Sequence, residues 1–303
     1  MKYFFFLFLL LSTILSSVDA IAQEAKLVKK AEWGSGTYEH MVEINDHYYI
    51  VTRSGQVDVI NPELAGESSL IGQIDFDFEP DIRAISKFDN FLIIVTNDKV
   101  NIYSITDAIN ITQVYSLTVS GHWNAEVINH QGDLYYVDGD NKIYVIAEAE
   151  GVFSLSKVIQ SPASNYNEEI YVSDRNLFIE DSTLYYVYRV QENGTLATKV
   201  ESYQLTDLTL SDSGLLEGIG ISTNGVYVGD GRFVISNYQY LYLIKLIDGQ
   251  VTILNDFDAV QYNKIFHLTS KNNTLKALSD SVLYTFQISE SNTISTLSTE
   301  SLT

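Results

Sequence analysis

The chain contains no cysteine, three prolines and only 18 lysines and arginines against 39 aspartates and glutamates in 303 residues. Each scarcity removes something. Without cysteine there is no disulfide, no thiol nucleophile and no site for a lipid anchor behind an export signal. Three prolines and the lack of a Pro- or Gly-rich linker leave few natural breaks, so one closed unit is expected. The shortage of basic residues gives a net charge of −21. Such a field repels phosphate backbones and anionic headgroups, which sets aside nucleic acid and direct membrane-surface binding. The chain also lacks a G-x-S-x-G nucleophile turn, a phosphate-cradling glycine loop and an H-E-x-x-H metal helix. Its five histidines, His40, His47, His122, His130 and His267, share no ligand spacing.

What is present begins at the N-terminus. MKYFFFLFLLL carries one positive charge and then an unbroken apolar run, and small and polar residues lead to Ala20-Ile21-Ala22. This reads as a secretory signal over residues 1–22, with the mature domain at 23–303 and a periplasmic or secreted address. A membrane anchor is the alternative, but the run is shorter than the roughly 20 residues a spanning helix needs. Cleavage removes Lys2 and Asp19, so the net charge is unchanged. About 280 residues, drawn from a chain that is 46% hydrophobic, must then be stabilised by burial alone.

The mature chain repeats itself. Asp133 to Ile146, DLYYVDGDNKIYVI, places two apolar runs around a Gly139-Asp140-Asn141 turn, the mark of an antiparallel hairpin. Copies begin at Tyr48, Phe91, Leu134, Leu184, Phe233 and Leu275, spaced 43, 43, 50, 49 and 42 residues apart. That is the period of a propeller blade. Runs such as LYYV and FLIIV do not alternate with polar residues, so both faces are expected to be buried, as in sheets sandwiched between radial neighbours. The fold expected is all-β: a single propeller of four-stranded antiparallel blades, six in number. Seven is the competitor if Ser161 to Leu184 or Leu205 to Gly225 hides a further unit. Either Leu27 to Trp33 or Thr293 to Leu297 completes the last blade. Paired tyrosines, Tyr48-Tyr49, Tyr135-Tyr136 and Tyr185-Tyr186, are expected to place one ring on each side of a blade.

VEINDHYYIVTRSGQVDVINPE followed by SLIGQI, and FLIIVTNDKVNIYSITD followed by TQVYSL, resemble LVIVD-repeat propellers over roughly residues 38 to 160 and more loosely beyond. Ile60 and Ser104 stand where that family's repeat ends in aspartate, and only the first copy keeps a proline, Pro62. The resemblance implies an exported propeller and transfers no catalytic residue.

In a four-stranded meander, the loops leading into the innermost strand and the loops between second and third strands share one rim, the upper rim. Candidate binding residues there are Trp33, Tyr38, His40, Asp77, Glu79, Arg83, His122, Trp123 and Glu126, with Asp75, Phe76, Tyr166, Glu168, Glu169, Asp256, Asp258 and Tyr262 nearby. Asp75, Asp77, Glu79 and Asp81 alternate along one stretch and, with Asn124, offer oxygen ligands for Ca²⁺, although the glycine and terminal glutamate of an EF-hand loop are missing. A solvated acidic loop is the plainer reading. Asp138 to Asn141 is read as turn chemistry. The function expected is a non-catalytic, monomeric binding module for a protein, peptide or glycan. The alternative is a calcium-dependent hydrolase of the lactonase kind, using Asp81 and Asn124 with Glu39, Glu169 and Asn263.

Overall fold

A computed structural model describes residues 38–52, 55–64, 69–74, 76, 82–121, 127–162, 170–192, 194–221, 225–237, 240–258, 265, 267–279 and 282–301. The described residues form six sheets of four strands each, every sheet made from consecutive strands joined antiparallel. They are arranged in a ring as a six-bladed β-propeller. Blade one holds β1 (Tyr38–Ile44), β2 (His47–Thr52), β3 (Val57–Ile60) and β4 (Leu70–Ile74). Blade two holds β5 (Ala84–Phe88), β6 (Phe91–Val95), β7 (Lys99–Ile105) and β8 (Ile111–Thr118). Blade three holds β9 (Val127–His130), β10 (Asp133–Val137), β11 (Lys142–Ala149) and β12 (Val152–Gln160). Blade four holds β13 (Ile170–Glu180), β14 (Thr183–Glu192), β15 (Thr195–Gln204) and β16 (Leu210–Glu217). Blade five holds β17 (Val226–Gly229), β18 (Arg232–Ser236), β19 (Tyr240–Ile247) and β20 (Gln250–Asp258). Blade six holds β21 (His267–Lys271), β22 (Thr274–Leu278), β23 (Val282–Ile288) and β24 (Ile294–Ser301).

The uninterrupted apolar runs behave as their chemistry requires. Leu92, Ile93, Ile94 and Val95 of β6 are all fully buried. Leu92 and Ile94 enter the core shared with blade one, and Ile93 and Val95 the core shared with blade three. Tyr135 and Tyr136 likewise part to opposite sides, as do Tyr185 and Tyr186. The outer strands do the reverse: β12 leaves most of its residues in water, because nothing lies beyond it.

The turns follow from their residues. Asn45, Asp46, Asp89, Gln131, Asp181, Asp230, Asn272 and Asn273 hold positive φ in the tight connections from first to second strands. Asn and Asp tolerate that conformation better than other residues with a side chain.

Two expectations are settled by the strand order. Ser161 to Leu184 contains the long strand β13, and Leu205 to Gly225 contains β16, so neither stretch has room for a seventh blade. The outer strand of blade six is β24, supplied by the C-terminal part of the chain. The opening strand of blade four is long, Ile170–Glu180, whereas that of blade six is short, His267–Lys271.

Candidate functional site

The upper rim is built on a repeated device. In four of the blades, the residue that follows the second strand turns its side chain back to close the connection to the third. Asp138, fully buried, accepts the backbone N–H groups of Asp140 at 2.9 Å and Lys142 at 2.8 Å on Oδ1, and the Tyr144 hydroxyl at 3.0 Å on Oδ2. Thr96 Oγ1 takes the Lys99 N–H at 3.2 Å and donates to Asp98 at 3.0 Å. Asn237 accepts the Tyr240 N–H at 2.9 Å, and the Ser279 hydroxyl donates to the Val282 carbonyl at 3.3 Å. These are Asx- and ST-type turns, in which a side chain takes the place of a backbone partner. The reading of Asp138 to Asn141 as turn chemistry agrees with this geometry.

The turns are then tied to one another across the blades. Arg83, buried just ahead of β5, donates from Nε to Asn97 Oδ1 at 2.7 Å. The Asn97 carbonyl receives the Gly121 N–H at 2.6 Å, and the Ser120 carbonyl receives the Gly139 N–H at 2.5 Å. Both glycines permit an approach that a side chain would block. A Cβ on Gly121 would stand 2.1 Å from the Asn97 oxygen, and one on Gly139 would stand 2.6 Å from the Gly121 oxygen.

From blade four, Arg175 donates to Asn141 Oδ1 at 2.8 Å and to the Gly139 carbonyl at 3.0 Å. The Tyr186 hydroxyl reaches the same Asn141 oxygen at 3.0 Å. Asn176 carries the chain of bonds onward, accepting the Gly225 N–H at the start of blade five at 3.1 Å. Arg175 and Asn176 can reach neighbours on both sides because β13 bulges between Ser173 and Asn176. Asp174 sits in that bulge at φ 49° and pairs with Arg189 at 3.1 Å.

Deeper in the wall, Glu201 is fully buried and accepts three hydroxyls. Tyr188 bonds it at 2.6 Å, Tyr203 at 2.5 Å and Ser161 at 2.8 Å. Ser161 comes from the end of blade three, so Glu201 joins two blades as well as two strands. Burial, reinforced by the Glu201 charge, pushes the Tyr203 hydroxyl well above its usual range. The same pairing of burial and a carboxylate raises Tyr144 beside Asp138.

The expected site residues divide by position. Tyr38 opens β1 opposite Thr52, His40 stands half-buried two residues further along that strand, and Arg83 is the buried brace just described. Phe76, from the acidic stretch, packs against the core between blades one and two, its ring 5.5 Å from that of Tyr103. Asp256 and Asp258 are the last residues of the outer strand β20 and pair with Tyr242 and Tyr240 there, so they belong to a strand and not to a loop. Trp33, Asp75, Asp77, Glu79, Asp81, His122, Trp123, Asn124 and Glu126 lie outside the described residues, as do Tyr166, Glu168, Glu169, Tyr262 and Asn263. Among the described residues, no group of three or more His, Cys, Asp or Glu side chains is placed to hold a metal ion. Sequence reasoning passed over Arg175, Asn176 and Glu201, because a polar residue inside a strand carries no sign of whether it meets water or a distant partner.

Six sheets of four consecutive strands, each sandwiched between neighbours and braced along one rim, define a six-bladed β-propeller. No family model and no curated protein matches this chain in sequence. Solved structures do match it in fold. One is BamB from Moraxella catarrhalis, with a TM-score of 0.57 and 11% identity over 88% of this chain and 77% of that one. Another is the β-propeller domain of Cps50 (Swd1) from Myceliophteria thermophila, at 0.59 and 10% over 88% and 87%. A third is Hsv2p of Kluyveromyces lactis, at 0.62 and 12% over 91% and 89%. At such identities the likeness establishes the propeller fold and nothing finer.

Proposed function

We propose that this chain is an exported, non-catalytic binding module that takes a protein, peptide or glycan partner on its upper rim. The observation that carries the reading is the bracing of that rim. Arg83 and Asn97 brace the rim within blade two, Arg175 and Asn141 join blades four and three, and Asn176 ties blade four to the start of blade five, which makes a stiff platform from which loops project. Recognition residues concentrate on loops held by a rigid scaffold. The loops in question carry the chain's two tryptophans, Trp33 and Trp123, among acidic residues. Tryptophan is enriched among residues that dominate binding energy. With a net charge of −21, the partner surface is neutral or basic. The resemblance to LVIVD-repeat propellers supports the same reading, as does the signal-like N-terminus, whose cleavage after Ala22 would leave a monomeric mature domain.

Capture of partners by immobilised mature protein, followed by mass spectrometry, tests this. Wild type is expected to recover a partner that Trp123→Ala loses and that a lower-rim variant, Asp248→Ala, retains. Equal recovery by Trp123→Ala would move the site elsewhere. If instead calcium raises the melting temperature by several degrees, and turnover of a lactone panel is abolished by Asp81→Ala, the hydrolase reading replaces this one.

A further inference from the structure

Blade four is built taller than the other five. The last pair of residues before the turn from second to third strand is Val51 opposite Val57 in blade one, Val95 opposite Val100 in blade two and Val137 opposite Ile143 in blade three. It is Ser236 opposite Leu241 in blade five and Leu278 opposite Leu283 in blade six. Tyr185-Tyr186 aligns with Tyr135-Tyr136, so the equivalent pair in blade four is Val187 opposite Val200. There the ladder continues through five more pairs, from Tyr188 opposite Lys199 to Glu192 opposite Thr195. β13 climbs with them, from Ser173 opposite Arg189 to Ile170 opposite Glu192. Five pairs raise this arm about 17 Å above the level at which the other ladders end.

The arm is held on both faces. On the side of blade three, Val172 and Val190 are buried in the core that they share with Ile143 and Ile159. On the side of blade five, the connection to that blade crosses the arm as a strap. The buried Thr198 hydroxyl donates to the Ile219 carbonyl at 2.8 Å and accepts the Ile221 N–H at 3.1 Å, and the Leu196 carbonyl accepts the Gly218 N–H at 2.8 Å. Gly220 lets the strap lie close: a Cβ there would stand 3.0 Å from Arg189 Cδ and 3.1 Å from Leu196 Cβ. At the base, Arg189 Nε meets Ser173 Oγ at 2.9 Å and Asp174 Oδ2 at 3.1 Å. The tip, by contrast, stands in water, with Gly194 and Thr195 exposed and Leu196 at 37% exposure.

We propose that this arm is the element by which the upper rim engages its partner, and that the partner is a folded protein whose neutral or basic cleft receives the tip. The proposal rests on the reading of the upper rim as the binding surface, and narrows it. Shape separates the ligand classes. Peptides and glycans are held in concavities of the protein that receives them. A projecting finger of strands is convex, and it buries substantial area only when the partner's walls close around it, as concave epitopes do around long inserted loops. Stiffness favours the same use, because an arm already fixed in one conformation loses little freedom on binding. From Val190 to Leu196 the one charged residue is Glu192, on a chain of net charge −21, so an acidic cleft would be repelled. The same repulsion acts against a second copy of this chain as the occupant.

The free protein gives the first test. Amides of Val190, Ala197 and Thr198 are expected to exchange as slowly as those of Tyr185 to Val187, and exchange there at open-chain rates would show a loose flap and overturn the proposal. For the second, a photoreactive benzophenone side chain is placed at Thr195, or at exposed Thr112 on the side wall of blade two as a control. Irradiation of the mature protein with the envelope and extracellular proteins of its own cells is expected to crosslink position 195, and not 112, to residues that line a cleft of one folded protein. With that protein purified, Thr195→Arg and Leu196→Asp are each expected to weaken binding by about tenfold or more in calorimetry while the urea midpoint holds. Crosslinks from position 195 to a peptide or glycan alone overturn the proposal and leave the rim reading standing. So does unchanged affinity of both arm variants for a partner that Trp123→Ala loses. If wild type recovers no partner, or if the arm variants and Trp123→Ala all bind like wild type, the rim reading fails and takes this inference with it.

Discussion

Glu201 shows how much a single buried side chain can hold. It is an acid in the interior whose bonds, among the described residues, come from the hydroxyls of Tyr188, Tyr203 and Ser161. Removing the acceptor strands three donors away from water, and each buried donor without a partner is costly. Glu201→Ala is therefore expected to lower the unfolding free energy by about 3 kcal/mol or more, measured by urea denaturation. Glu201→Gln should cost less, since its amide oxygen still accepts. Equal stability of Glu201→Ala and wild type would mean that the hydroxyls find other partners. Arg83 carries a related lesson, because its position in a loop suggested a contact residue, whereas its side chain is turned inward to Asn97.

At the scale of strands and turns, Arg175 links blades three and four on the upper rim. Its planar fork serves an Asn141 side chain and a Gly139 carbonyl together. Arg175→Ala is expected to speed amide exchange across Gly139 to Lys142, and Arg175→Lys should not restore protection, because a point charge cannot reproduce the fork. Restoration by lysine would show that charge alone matters. The elements themselves were largely legible in the sequence. Asn, Asp and Gly turns between doubly apolar runs such as FLIIV and LYYV have one economical explanation, and the strands lie where those turns put them. The opening of blade four was less legible, because the bulge at Asp174 and Arg175 interrupts the apolar pattern of β13. Glu201 and Arg175 could not be placed, since their burial depends on partners 40 and 34 residues away.

For the molecule as a whole, the tyrosines set a limit on the alkaline side. Burial, followed by the charge of Asp107, pushes the Tyr49 hydroxyl up to about 12. Burial raises Tyr136, Tyr186 and Tyr227 further still, reinforced by carboxylates such as Asp138, Glu201 and Glu180. The unfolded chain releases these protons near pH 10, so the folded state binds more protons between that value and the raised ones. Stability is then fully present below about pH 10 and falls as pH rises beyond it. The urea midpoint should drop over that range, with tyrosinate absorbance at 295 nm lagging until unfolding; early ionisation of most tyrosines in the folded protein would contradict this. All of these expectations depend on blades that are dry on both faces and stacked in a ring. Native-state hydrogen exchange tests that most directly. Amides of β6, β10, β14 and β18 should be the slowest in the protein and open only with global unfolding, whereas faster exchange there than in the outer strands β8, β12, β16 and β20 would show sheets wetted along one face and contradict the propeller.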